Sequence, residues 1–285
     1  MLSVLLLTVS QSASTPANFI AYGSKIEAIA SGHNFTEGPV ETMDGSLLFS
    51  DIPANKVYRL REGKLTVFRE DSRGANGNHM DADGRILTCE QGSRQVTRSK
   101  NDGSVEVLAS EFEGRRLNSP NDLTIRKDGA IYFTDPPYGI RSEQAELGFN
   151  GVFMIKSRKL TLLAKDFDRP NGLVFNPSET LLFVADTSKG HIRRFQVERD
   201  GTLKGGEEWA RTPSPDGLCM DQKGQVWCAS ADGVNVISPS GQILQVIPFP
   251  QTPSNLAFSR DGKTLFVTAR TAVYKVRVTV LGIAP

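Results

Sequence analysis

Short apolar runs broken by turn-forming dipeptides recur along the chain, and none of these segments carries the 3.6-residue apolar period of an amphipathic helix. Six turns set the rhythm, at Asp44-Gly45, Asp83-Gly84, Asp128-Gly129, Ser178-Glu179, Lys223-Gly224 and Asp261-Gly262. Each is followed at once by a β-rich run of six or seven residues: SLLFSD, RILTCE, AIYFTD, TLLFVAD, QVWCAS and KTLFVTA. Runs this short and this rich in Leu, Ile, Val and Phe read as strands. An apolar strand precedes each turn, and a further turn and strand complete the unit. The units recur every 38 to 50 residues, which suits a three- or four-stranded blade and is longer than a solenoid coil. Six such units closed in a ring predict an all-β fold, a six-bladed β-propeller occupying residues 17–285 as one domain. The stretch from Phe19 to Ile29 precedes the first turn, and AVYKVRVTV completes the sixth unit. Pairing these two would close the ring and remove an open sheet edge.

Composition narrows the partners. With 33 basic and 32 acidic residues the formal charge is +1, and no Lys/Arg run exceeds two residues. That distribution predicts no nucleic-acid or anionic-membrane partner and suits a neutral small molecule. The 26 Gly and 15 Pro fit a turn-rich fold. Cys89, Cys219 and Cys228 are odd in number and form no CxxC pair, so they read as small core residues rather than a disulfide framework or a thiolate zinc site. Residues 1–16 begin MLSVLLLTVSQSAS, the composition of a truncated secretory signal or an unstructured terminus, too short to span a bilayer. The compartment, periplasmic or secreted against cytoplasmic, stays open at this level, as does monomer against dimer.

The chemistry lies in a column. Eight residues before Gly45, Gly84, Gly129, Glu179 and Gly224 stand Glu37, Asn76, Asn121, Asn171 and Asp216, in the frames TEGPV, ANGNH, SPNDL, RPNGL and SPDGL. The sixth unit reaches Ser254, next to Asn255, in PSNLA. Equivalent positions of propeller blades are related by rotation, so this column becomes a ring at one mouth of the central tunnel. Its donors are all oxygen-bearing, a set that suits one hard divalent cation, with Ca²⁺ favoured and Mg²⁺, Mn²⁺ or Zn²⁺ compatible. Asn and Asp beside Pro and Gly also form turns by bonding their own backbone, but Glu37 is a poor turn former. A second column, Asp51, Glu90, Asp135, Asp186, Ser230 and Ala269, falls 14 or 15 residues after the first and reads as structural, capping the next turn even within DPPYG.

With these strings in place, the chain from about Phe35 onward resembles the gluconolactonase branch of the senescence marker protein (regucalcin) and gluconolactonase family, through TEGPV, RRLNSPNDL, YFTDPPYG, RPNGLVFNPSETLLFVADT and SPDGLCMD. The resemblance implies a six-bladed propeller with one divalent cation in its tunnel, held by Glu37, Asn121, Asn171 and Asp216. It also implies metal-dependent opening of a sugar lactone such as glucono-1,5-lactone, with Asp216 as ligand and base. Asn121 and Asn76 would orient substrate oxygens or metal-bound water. Animal members carry an Arg two residues before the equivalent of Asn121, where this chain has Ser119, and Arg115 or Arg116 is the expected substitute. His79 follows the column residue Asn76 by three and is a candidate substrate contact, whereas His33 and His191 read as structural or solvated. No GxSxG elbow is present, which disfavours a serine hydrolase. Two other classes stay open on the same fold: a metal-dependent organophosphate or aryl-ester hydrolase, and a calcium-holding propeller that only binds a partner.

Overall fold

The computed structural model describes residues 18–100 and 104–285, so the N-terminal segment 1–16 lies outside the described residues. Six four-stranded antiparallel sheets follow one another along the chain. Their innermost strands are Thr36–Glu41, Ala75–Met80, Leu123–Ile125, Pro170–Phe175, Leu218–Met220 and Asn255–Phe258 for blades 1 to 6. Each inner strand packs against those of the two adjacent blades, and the last returns to the first, so the sheets ring one axis. Each Asp-Gly-type turn joins an inner strand to the second strand of its blade, as the sequence predicts.

Blades 1 to 5 are each built from contiguous chain, whereas blade 6 is composite. Its inner three strands end with Ala272–Arg277, and the outermost, Glu27–Ser31, comes from the other end of the chain in antiparallel register. Ile20 adds an isolated bridge to Val278. The closing strand comes from the N-terminal side as expected, but it spans Glu27–Ser31 and overlaps the expected Phe19–Ile29 stretch only at its end. Phe19, just ahead of it, packs edge-on against the fully buried Trp227 with ring centroids 5.6 Å apart, and Phe258 meets the same indole at 5.3 Å.

In blades 1, 3 and 4 the second column ties the second strand to the segment that enters its own inner strand, whereas Glu90 bonds the side chains of Arg69, Ser93 and Thr97 and Ala269 has no side-chain acceptor. Asp51 accepts the N–H groups of Asn34 and Phe35 at 3.0 and 3.1 Å, Asp135 those of Asn118 and Ser119 at 2.7 Å each, and Asp186 those of Asp168 and Arg169 at 2.9 and 3.0 Å. These carboxylates satisfy backbone donors that have no strand partner, which fixes the approaches to Glu37, Asn121 and Asn171. His33 is buried beside Asp51 and between Phe49 and Tyr58, and His191 sits on Glu208 at 3.0 Å. The three cysteines are free and buried. Among the described residues no helix is long and apolar enough to cross a membrane.

Candidate functional site

Glu37, Asn76 and Asn171 lie at the start of an inner strand and Asn121 and Asp216 two residues before one, all at the end opposite the Asp-Gly-type turns. Where that strand begins, its pairing with the second strand slips, between Glu37 and Val40, Ala75 and Asn78, and Pro170 and Leu173. Such bulges re-aim side chains, here toward the axis. In the other blades the column N–H still bonds the second strand, Asn121 to Thr134 O and Asp216 to Ala229 O at 2.9 Å each, and Ser254 to Thr268 O at 2.8 Å. Column carbonyls also stitch neighbouring blades: Gly77 N–H reaches Asn121 O at 2.9 Å, Gly172 N–H reaches Asp216 O at 3.2 Å, and Gly217 N–H reaches Ser254 O at 2.9 Å. Ser254 itself turns its hydroxyl away, to Thr36 O at 2.7 Å.

The residue following each column position explains why the ring can close. It is Gly38, Gly77, Gly172 and Gly217 in blades 1, 2, 4 and 5, but Asp122 and Asn255 in blades 3 and 6. A Cβ at those glycines would stand 2.2 Å from Asn76 O, 2.4 Å from Asp122 Oδ1, 2.4 Å from Asp216 O and 2.2 Å from Asn255 Oδ1, distances no side chain tolerates. The space is filled by the two side chains from opposite blades, with Asn255 Nδ2 donating to Asp122 Oδ2 at 3.2 Å. Each also caps the next N–H of its own strand, Leu123 at 2.9 Å and Leu256 at 2.8 Å.

Three carboxylates therefore share the buried axis. Burial, followed by the charges of Asp216 and Asp122, pushes the Glu37 carboxyl well above its ordinary value, while hydrogen bonds from Asn255 and the Gly38 N–H oppose the rise. Burial raises Asp122 to about 7. It raises Asp216 to about 8, with the Asp122 charge adding and an Asn171 hydrogen bond and the Arg270 charge opposing. Among the described residues no lysine or arginine forms an ion pair with any of the three. Buried negative charge without a counter-ion is costly, and carboxylates interleaved with amides are the donor set of a hard dication. Among the described residues no three acidic, histidine or cysteine side chains cluster tightly enough to hold an ion by themselves, so a cation here would draw on the amides as well. The side chains of Asn76 and Asn121 make no hydrogen bond to the described residues, whereas Asn171 Nδ2 reaches Thr187 Oγ1 at 3.0 Å.

Two sequence candidates stand apart from this ring. His79 is three strand residues beyond Asn76, a displacement of about 10 Å. It lines a cavity of about 680 Å³ that runs from the Asp122–Asn255 layer toward the turn face. Its Nδ1 faces Met80 O at 3.1 Å, and burial lowers its pKa to about 4, so it is neutral. Arg116 belongs to a hairpin, Glu111–Phe112 with Arg115–Arg116, at the rim. Its guanidinium bonds Ser93 O at 3.1 Å and its N–H bonds Glu146 at 2.9 Å, while Arg115 reaches Leu147 O at 3.4 Å. Ser119 accepts the Gly139 N–H at 2.8 Å and so pins the loop carrying Tyr138, whose hydroxyl lies 3.4 Å from Asn171 Nδ2. Asp122, Asn255 and Tyr138 were not among the sequence candidates. The column's following position, reading G, G, D, G, G, N around the ring, was the available signal for the first two.

Residues 35–271 match the family signature of the SMP-30/gluconolactonase/LRE-like region. The chain belongs to this family. A gluconolactonase of Zymomonas mobilis is 33% identical over 90% of the chain and 82% of its own length. A solved gluconolactonase of Xanthomonas campestris is 35% identical, covers 91% of both chains and superposes with a TM-score of 0.86. The calcium-binding regucalcin of Agrobacterium tumefaciens, at 20% identity, 90% and 95% coverage and a TM-score of 0.79, shares the fold of this SMP-30/gluconolactonase family member.

Proposed function

We propose that the protein is a metal-dependent lactonase that opens a small sugar lactone, such as glucono-1,5-lactone, to its hydroxy acid. The observation that carries this reading is the convergence of Glu37, Asp122 and Asp216 with asparagine amides at one buried tunnel mouth. The likeness to the gluconolactonases of Zymomonas mobilis and Xanthomonas campestris, at 33% and 35% identity, supports lactone hydrolysis over the organophosphate, aryl-ester and binding-only alternatives.

Glu37, Asn121, Asn171 and Asp216 are the residues that would hold the cation, Ca²⁺ first among the candidates. The ion, when bound, supplies positive charge that polarises the lactone carbonyl and stabilises the oxyanion as it develops. Asp216 accepts a proton from the attacking water and returns it to the ring oxygen as the C–O bond breaks, leaving a carboxylic acid and a free hydroxyl. The uncommitted amides of Asn76 and Asn121 donate to substrate oxygens. Gly172 and Gly217 leave the backbone beside Asp216 bare, and the Asp122–Asn255 pair closes the axis beneath it. Asp122, at about 7, is the other carboxyl able to exchange a proton near neutrality. Asp122→Asn tests that role directly.

The test is acid release from glucono-1,5-lactone, an aryl ester and an organophosphate, with chelator and with added Ca²⁺, Mg²⁺, Mn²⁺ or Zn²⁺. Chelator-sensitive turnover of the lactone is expected. Glu37→Ala and Asp216→Ala should abolish it, while His191→Ala, on the outer part of blade 4, should not. Full activity in the first two variants would refute the assignment.

A further inference from the structure

Two arginines at the rim have no part in the hydrolytic scheme. Arg169 lies two residues before Asn171, with its N–H on Asp186 Oδ1 at 3.0 Å and its carbonyl accepting from Thr187 at 3.0 Å. Its guanidinium stands over the ring of Tyr138, 5.4 Å from the centroid. Arg270 directly follows the second strand of blade 6, Thr264–Ala269, and its carbonyl accepts the N–H of Thr36, the residue before Glu37, at 2.7 Å. Its guanidinium stands over Phe35, again 5.4 Å from the centroid, and is close enough for its charge to act on Asp216. The two thus flank blade 5, from which Asp216 projects.

Both side chains are exposed, and neither has a carboxylate partner among the described residues. Arg193, elsewhere on blade 4, instead grips Asp166 through both nitrogens at 2.9 and 3.0 Å. Stacking on an aromatic face orients a guanidinium without neutralising it. The Tyr138 stack is itself fixed. A Cβ at residue 139 would stand 2.5 Å from Ser119 Oγ and 2.9 Å from Gln91 Cβ, so Gly139 allows the loop to dock and hold Tyr138 in place. Two oriented and unpaired guanidiniums at the mouth of a low-dielectric tunnel concentrate a positive field there. The planar fork of arginine favours phosphate, sulfonate and carboxylate oxygens, and charge-assisted hydrogen bonds are about twice as strong as those to neutral hydroxyls.

We propose that Arg169 and Arg270 form an anion subsite and that the physiological substrate is a lactone bearing a negatively charged substituent remote from the scissile carbonyl. This rests on the lactonase reading above. The experiment compares kcat/KM for glucono-1,5-lactone with that for its 6-phosphate and 6-deoxy-6-sulfonate analogues, in the wild type and in the Arg169→Gln/Arg270→Gln double variant. The wild type should prefer the charged lactones by about tenfold or more, through KM and with a preference that shrinks as salt rises. The double variant should lose most of that ratio, and Arg169→Lys/Arg270→Lys should keep part of it. Calorimetry with 6-phosphogluconate and gluconate reads the subsite without turnover. A charged-to-uncharged ratio near one in the wild type, or one unchanged in the double variant, overturns the inference. If no lactone is hydrolysed the lactonase reading falls; selective binding of 6-phosphogluconate that the double variant loses would still support the anion subsite, and equal binding of the two acids would remove it.

Discussion

Asn255 donates its side-chain amide to Asp122 Oδ2 at 3.2 Å, although the two residues are 133 apart in sequence and belong to opposite blades. The same asparagine also favours the ionised form of Glu37, so one side chain acts on two of the three axial carboxylates. Asn255→Ala leaves both without that donor in a buried site, a loss of about 1–3 kcal/mol. The variant is expected to unfold at lower temperature and to bind Ca²⁺ more weakly in a calorimetric titration. Wild-type affinity would show that the tie does not organise the site.

The glycines beside the column make a steric prediction. Gly217→Ala places a methyl 2.2 Å from Asn255 Oδ1 and 2.7 Å from Asn255 Cα, where backbone cannot yield easily. Overpacking of this kind costs about 1–3 kcal/mol. Displacement of Asn255 should lower cation affinity as well as stability. Gly45→Ala is the control: it meets nothing within 4 Å and pays only for a positive φ of 76°. Its thermal unfolding should shift by about 1 kcal/mol with cation affinity unchanged.

The buried carboxyls dictate the pH dependence. Burial holds Asp122 and Asp135 at about 7 and Asp216 at about 8. A folded-state pKa above the unfolded value means that the native protein binds more protons between roughly pH 4 and 8, so metal-free stability falls as pH rises through that window. Cation binding needs the ionised forms, so affinity should climb over the same range with up to about two protons released per ion. Thermal unfolding with chelator and calorimetry in two buffers check both halves. Metal-free stability that rises from pH 5 to 8, or binding without proton release, would contradict the account.

Removal of the closing strand should open the ring. A variant beginning at Asn34 lacks Glu27–Ser31 and Phe19, which exposes the edge of Ala272–Arg277 and one face of Trp227. Unpaired edges template association. The expected result is a lower unfolding temperature and concentration-dependent oligomers by size exclusion. A stable monomer would mean that blade 6 holds with three strands.

Strand periodicity and turn spacing made the six units readable, because Asp83-Gly84 or Lys223-Gly224 forms its turn from local backbone preference alone. The column from Glu37 to Asp216 was readable for a related reason, since rotational repetition turns a constant offset into a ring. Contacts that break the repetition were not readable. Asp122 and Asn255 matter because they differ from the glycines at the same position elsewhere, and Tyr138 reaches Asn171 only because Ser119 pins a loop from another part of its blade. His79 carried a suggestive offset, and it lines the same cavity as Asp122 and Asn255.

The composite sixth blade also orders events during synthesis. Glu27–Ser31 leaves the ribosome before blades 1 to 5, while its partner Ala272–Arg277 follows them. Blades 1 to 5 can form from local chain as they emerge, but the seal waits for a contact that spans all five of them, the slowest kind to make. Until then Phe19 and the early strand remain without their native partners, and that interval is when a nascent chain most needs protection from association.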